Sequence, residues 1–255
     1  MQIEKPTTLI STFDEKGSTI RGKSLVDDLI GGVTFTNMIY FYILGRVPTP
    51  AQTKILDAVL VTLVDHGMLG ALSSRMVYRS SPDCIQGAVA AGMLGVGSQF
   101  GGVMEQVGRH LEELIVATDP DAKAREIVAA YRTTKQPLPG FGHIDFRPDD
   151  PRTPKLLAVA EAAGVPGNHI AALRTLARAV DTVIGKHVTI NATAGMAALL
   201  GEIGVPWKIM RGFALISRAP GLVGHIYEEQ QRPAAGYIGR LAQESVAYAG
   251  EKSPS

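Results

Sequence analysis

Three times along this 255-residue chain a hydroxyl or carboxyl side chain is followed by proline and then by apolar residues at helical spacing. Thr49-Pro50-Ala51-Gln52 offers an N-cap hydroxyl, a proline at the first helical position and a polar residue that can answer back to the cap. Ile55, Leu56, Val59, Leu60 and Leu63 then recur at helical spacing until Gly67. Asp119-Pro120 repeats the signal before KAREIVAAYR, and Thr153-Pro154 repeats it before LLAVAEAAG, where Gly164 supplies a stop. Further helices are expected at 24–44, 83–96, 102–117, 168–184, 193–203 and 207–230. One strand pair is readable, TTLISTF and STIRG joined by a turn over 14–17. Strands and helices do not alternate, so the pattern predicts a mostly α fold with a short N-terminal β-hairpin.

Composition narrows the partners. Lysine and arginine total 25 against 24 acidic residues, a net charge of +1, which supplies no broad attraction to nucleic acid or anionic membrane. Charged residues are 19% of the chain, below the usual level of about 25%, and this favours an oligomer that hides part of its exterior. The single cysteine, Cys84, excludes an intrachain disulfide framework and a multi-cysteine zinc site, and reads as an inert small core residue. MQIEKPTTLISTF has no apolar leader core, and the run 55–64 is interrupted by Asp57. The expected location is cytoplasmic.

Two segments stand apart. Residues 86–102, QGAVAAGMLGVGSQFGG, are dense in glycine, which costs about 1 kcal/mol per residue in a helix interior and makes sense where a backbone or ligand approaches closely. Tight helix packing is the plainer reading of the two. The loop Gln136-Pro137-Leu138-Pro139-Gly140-Phe141-Gly142-His143 sets rigid and permissive residues beside a histidine and runs on to Asp149-Asp150-Pro151-Arg152. A third segment is a decoy: Gly17-Ser18-Thr19-Ile20-Arg21-Gly22-Lys23-Ser24 matches the phosphate-loop pattern letter for letter. Asp14-Glu15-Lys16 precede it, and three charges cannot end a buried parallel strand, so a hairpin is expected there. The six histidines form no H-x-x-x-H pair, no zinc site is expected, and no G-x-S-x-G elbow exists. The pairs Glu112-Glu113, Asp149-Asp150 and Glu228-Glu229 read as solvated faces.

The motifs taken in order resemble the citrate synthase superfamily over about positions 7–240, most of all its short branch of citryl-CoA lyases and ATP-citrate lyase C-terminal modules. TTLISTFDEKGSTIRGKSLVDDL is similar to the family's opening hairpin and first helix. Val64-Asp65-His66-Gly67 is similar to its D-H segment, and GVGSQFGGVMEQV to its glycine-rich segment. GFGHIDFRPDDPR resembles its central loop, with Arg152 nine residues after His143. INATAGMAALLGEIGVP sits where synthases carry N-V-D and then a proline, and SRAPGLVGHIYEEQQRP resembles the closing segment.

The resemblance implies a multi-helical fold with a large domain (1–101 and 205–250), an inserted small domain (102–204) that closes on substrate, and a tail (251–255). It implies chemistry at the bond between the methyl carbon of acetyl-CoA and the carbonyl carbon of a keto acid. By position, His66, His143, Arg152, Arg218 and Arg232 match ligands of the keto acid and its carboxylates, with Arg232 reaching into a partner's site in a homodimer or tetramer. Pro137 to Gly142, including Pro139, Gly140 and Phe141, matches the segment that receives coenzyme A, and Arg147 matches a position that meets its phosphate. Coenzyme A would enter as part of the substrate, with no permanently bound cofactor.

Two departures bear on the reaction. Phe100 stands where synthases carry a histidine, as in the ATP-citrate lyase branch, and Thr193 stands where the family has its catalytic aspartate. A threonine hydroxyl cannot act as a carboxylate base near neutral pH, so Asp145 or a water is the expected substitute. Cleavage of citryl-CoA or an analogue is the expected reaction. A condensing enzyme, or a non-catalytic protein binding coenzyme A or a polycarboxylate, is the alternative. Plainer roles also exist: His66 as a cap on the helix before it, Arg152 as the partner of Asp149 or Asp150, Arg218 and Arg232 in ordinary ion pairs, His225 in packing or a structural hydrogen bond.

Overall fold

The structure, a computed structural model, describes residues 5–97 and 103–250. Phe100 and the 251–255 tail lie outside them. Contacts divide the chain into two compact units, Met1–Val59 with Gln106–Lys208 and Leu60–Glu105 with Ile209–Ser255.

The first unit opens with a three-stranded antiparallel sheet, β1 (Ser11–Asp14), β2 (Gly17–Ile20) and β3 (Lys23–Ser24), in the order β1-β2-β3. Asp14 pairs with Gly17 at the turn, so the phosphate-loop lookalike is spent on a hairpin. The single helix expected over 24–44 is two pieces. A π-helical turn (Leu25–Leu29) is capped by Ser24, and α1 (Phe35–Leu44) starts afresh at the Thr34 cap. Gly31 between them adopts a φ of +77°, which a continuous helix cannot contain. Helix α2 (Pro50–Thr62) has the expected capping box: Thr49 Oγ1 accepts from Gln52 N at 3.2 Å and Gln52 Oε1 accepts from Thr49 N at 2.9 Å.

Helices α5 (Met104–Ile115), α6 (Pro120–Thr133), α7 (Arg152–Ala162), α8 (Asn168–Ile184) and α9 (Ala192–Glu202) complete this part of the chain. Asp119 caps α6 as its sequence predicts. Thr153 does not cap α7. It lies inside the helix and donates to the Ile190 carbonyl at 2.8 Å, while Asp150 takes the Arg152 N–H at 3.1 Å. Helices α7 and α8 pack on α9, whose residues from Ala194 to Gly201 are all buried. A helix apolar on every side belongs in the middle of a core. Glu202, at its far end, accepts from Gly167 N and Ile170 N, both at 2.9 Å, and so caps α8 from a neighbouring helix.

The second unit holds α3 (Gly67–Ser80), α4 (Ile85–Leu94), α10 (Met210–Gln231), entered through a 3-10 turn at Trp207–Ile209, and α11 (Ala235–Ser245). Helices α3 and α11 are not anticipated by the sequence reading. Gly67 reads as a stop, yet it opens α3, and Gly236 and Gly239 break the periodicity of α11. Helices α3, α4 and α10 pack together, and α11 lies on α3. At Gly92 of α4 an added Cβ would collide with Ser74 Oγ and meet Leu222, so this glycine serves close packing, the plainer of its two readings. Among the described residues no single helix is long and apolar enough to cross a membrane.

Candidate active site

The 137–142 loop takes its shape from two glycines and a neighbouring strand-like segment. Gly140 and Gly142 have φ of +86° and +81°, in the left-handed region where side chains are strained. A Cβ on Gly140 would stand 2.8 Å from both Val107 and Ala194. The loop is stitched to 189–191: Gly142 N donates to Thr189 O at 2.8 Å, Asn191 N donates to Gly140 O at 3.0 Å, and Phe141 forms a bridge with Ile190. Asn191 then works twice. Its Oδ1 accepts from Ala194 N at 3.3 Å and caps α9, while its Nδ2 donates to Gly142 O at 3.1 Å. His143 is thereby carried to the N-terminal end of α9, where Thr193, half-buried, occupies the first turn.

Arg152 is brought to the same end by Asp150, which is fully buried. The carboxylate accepts Arg152 Nε at 2.9 Å and Nη2 at 2.8 Å, and also the Ala192 N–H at 2.8 Å. Burial alone would raise the Asp150 pKa, but the guanidinium and the amides of Ala192 and Arg152 overcome it and hold the carboxyl below its ordinary value. Asp150 is therefore no solvated surface charge, and neither is Glu229. Of the two partners the sequence offered Arg152, Asp150 is the one it takes.

His143 Nδ1 accepts the backbone N–H groups of Asp145 at 3.0 Å and Phe146 at 3.1 Å. A ring nitrogen that accepts carries no hydrogen, so the imidazole hydrogen is on Nε2. Nε2 lies 3.2 Å from Arg152 Nη2. Arginine only donates, so two donors face one region at a positive helix end, and a carbonyl or carboxylate oxygen is the group that can accept from both. Phe146 backs the pair, with its ring 4.6 Å from the His143 ring and 5.2 Å from the Arg152 guanidinium carbon. Asp145 is exposed, its carboxylate 4.0 Å from Nδ1, on the side of the ring away from Arg152's contact. Arg147 is exposed; Pro139 and Gly140 are buried.

In the second unit His66 occupies the N-cap position of α3, not a cap on the helix before it, and makes no side-chain capping bond there. Gly70, one turn on, lets two groups close in: its Cβ position is 3.1 Å from His66 Cβ and 3.4 Å from Arg218 Nη1. Arg218 is buried, and among the described residues its guanidinium makes no hydrogen bond. Burial pushes its pKa down, partly offset by the charge of Asp65. His225 Nε2 meets Asp65 Oδ1 at 2.8 Å, and its Nδ1 faces Arg75 Nη2 at 2.9 Å. Arg232 is exposed at the C-cap of α10.

Asp150, Phe146, Asp65 and Arg75 were not singled out as site residues. Asp65 adjoins His66 and Asp150 stands two residues before Arg152, and that nearness is the available signal. Nothing local marks Arg75. Among the described residues no cluster of three or more metal-ligating side chains is present.

Residues 7–241 match the family model described as citrate synthase, C-terminal domain. The fold is similar to citryl-CoA lyase from Hydrogenobacter thermophilus, with 32% identity, a TM-score of 0.87 and coverage of 99% of this chain and 97% of that one. ATP citrate lyase from Methanothrix soehngenii, solved with citrate and coenzyme A, shares the fold at 20% identity and a TM-score of 0.77, over 98% of this chain and 43% of that one. In sequence, the putative citrate synthase 2 of Mycobacterium tuberculosis is 28% identical over 203 residues, 75% of this chain and 53% of its own. The chain spans about half the length of the curated relatives it matches.

Proposed function

The chain belongs to the citrate synthase family, and from that premise we propose that it is a carbon–carbon lyase cleaving citryl-CoA or a close analogue to acetyl-CoA and an oxo acid such as oxaloacetate. The observation that carries the reading is the donor pair His143 Nε2 and Arg152 Nη2, 3.2 Å apart and each locked from behind. In the cleavage the C3 hydroxyl gives up its proton to a water standing in for the missing carboxylate, the bond to the acetyl methylene carbon breaks, and its electron pair becomes the acetyl-CoA enolate, whose carbon takes that proton back to form the methyl group. The alkoxide oxygen becomes the carbonyl oxygen of the oxo acid. His143 donates to that oxygen while charge develops on it. Arg152, Arg218 and Arg232 grip carboxylates, for which guanidinium geometry is suited, and His66 positions the keto-acid portion. The 137–142 loop and Arg147 hold coenzyme A, which enters with the substrate. Cleavage is preferred to condensation on the near-complete overlap with a citryl-CoA lyase and on Phe100, which stands where synthases carry a histidine.

The assembly is read as a homodimer or tetramer, with the exposed Arg232 turned to a partner copy. Thr193 favours a second reading, a protein that binds coenzyme A or a polycarboxylate without turnover. Mass-spectrometric detection of acetyl-CoA from citryl-CoA separates the two. The lyase reading expects release by wild type and a loss on the order of 10²–10⁴ in His143→Ala. Calorimetric binding of coenzyme A and citrate with no acetyl-CoA formed would favour the binding-only reading.

A further inference from the structure

A buried arginine meant for a substrate carboxylate has to be kept from the protein's own carboxylates. Arg218 stands in α10 with Asp65 close enough to act on it electrostatically, yet no ion pair between them falls within 4.0 Å. The reason lies seven residues further along the same helix face. His225 takes Asp65 instead. The turn carrying Asp65 is pressed onto α10 at Gly221, midway between the two, where an added Cβ would run into the Val64 carbonyl and stand 3.7 Å from Asp65 N. The backbone at Asp65 is thus docked on α10 between Arg218 and His225, about one turn from each.

The choice between them is set from the far side of His225. Arg75, in α3, is 1% exposed and only donates, so the Nδ1 it contacts at 2.9 Å is an acceptor and the hydrogen on Nε2 points to Asp65. Arg75 is itself held by Glu229 at 2.8 Å and by Glu228. The second oxygen of Asp65 accepts Gly67 N at 3.1 Å, which leaves the carboxylate spoken for on both sides.

We propose that His225 is a positioning residue that tethers Asp65 away from Arg218, keeping that guanidinium open for a substrate carboxylate. The proposal rests on the reading above only in taking Arg218 as a carboxylate ligand; it does not depend on the direction of the reaction. Three variants test it, with oxaloacetate binding by calorimetry as one readout and crystal structures as the other. His225→Phe fills the space but cannot donate, so Asp65 should move to within ion-pair distance of Arg218 and oxaloacetate should bind on the order of tenfold more weakly. His225→Gln retains an N–H donor and should stay within about threefold of wild type. The double variant His225→Phe with Asp65→Asn removes the competing charge and should recover most of the affinity lost.

A merely structural histidine would not be rescued by removing a carboxylate, so equal weakening in the single and double variants overturns the tether. Asp65 staying where it is in the His225→Phe crystal structure overturns it too, whether or not oxaloacetate binds. A wild type that yields no acetyl-CoA, with the Asp65 shift and rescue intact, removes the lyase reading and leaves the tether standing.

Discussion

Asp150 has no other job than holding. Buried without exposure, it joins Arg152 to the first N–H of α9 through one carboxylate. Asp150→Asn keeps the size and one acceptor oxygen but leaves a half-buried guanidinium short of its counter-charge, a change expected to cost about 1–3 kcal/mol. Its kinetic signature should be a raised KM for the carboxylate-bearing substrate with a smaller change in kcat, because Arg152 loses its aim before His143 does. An unchanged KM would break the link between Asp150 and the site. Asp145 is the contrasting case. Its carboxylate is on the Nδ1 side of His143, where two amides already occupy the lone pair. Asp145→Asn is therefore expected to reduce acetyl-CoA release less than about tenfold, while loss of His143 costs on the order of 10²–10⁴. A loss as large as that of His143→Ala would make Asp145 the missing base. At this scale the sequence displayed His143, Arg152, His66 and Arg218 through motif spacing. It hid Asp150 and Asp65 because a carboxylate one or two residues from a matched position looks the same whether it is solvated or buried beneath its neighbour.

Elements were legible where their ends carry chemistry. Helices α2 and α6 start at caps that the letters announce, and the hairpin starts at a charged turn. Helix α3 was invisible because its start has no cap bond and a glycine stands at its first position; the break at Gly31 was missed because the apolar period runs through it. The loop–helix joint at 137–142 and α9 is where such local rules meet the site. Gly140 combines a left-handed backbone with a Cβ position 2.8 Å from Val107 and Ala194. Gly140→Ala should therefore destabilise by about 2–4 kcal/mol, from backbone strain and overpacking together. The same substitution at Gly142, whose Cβ position is open, should show only the backbone part, about 1–2 kcal/mol. Urea midpoints compared for the two variants check the difference; equal losses would mean that the packing of Gly140 against Ala194 contributes nothing.

Across the whole molecule, four buried or half-buried groups that titrate on the acid side share one direction. Burial lowers the pKa of His110 and of His169 from the ordinary 6.5. For Asp150 and Glu229, burial pulls upward, but arginine and amide hydrogen bonds win and the carboxyls sit below their ordinary values of 3.8 and 4.5. In all four the folded value lies below the unfolded one, so the unfolded chain binds protons first and each contribution is present above the unfolded value and lost as pH falls. The histidine share begins to go just below 6.5 and the carboxylate share only below about 4.5. His187 runs the other way: Asp149 and Asp181 raise its pKa, so whatever it contributes is lost as pH rises through that raised value, but it is exposed and screened. Stability followed by urea unfolding from pH 8 to pH 3 should therefore fall in two stages on the acid side. Asp150→Asn and Glu229→Gln, one in each compact unit, should each flatten the lower stage and leave the upper one in place. An acid limb unchanged in both variants would show that neither carboxylate is held below its ordinary value, and that the upper stage alone sets the acid sensitivity of the chain.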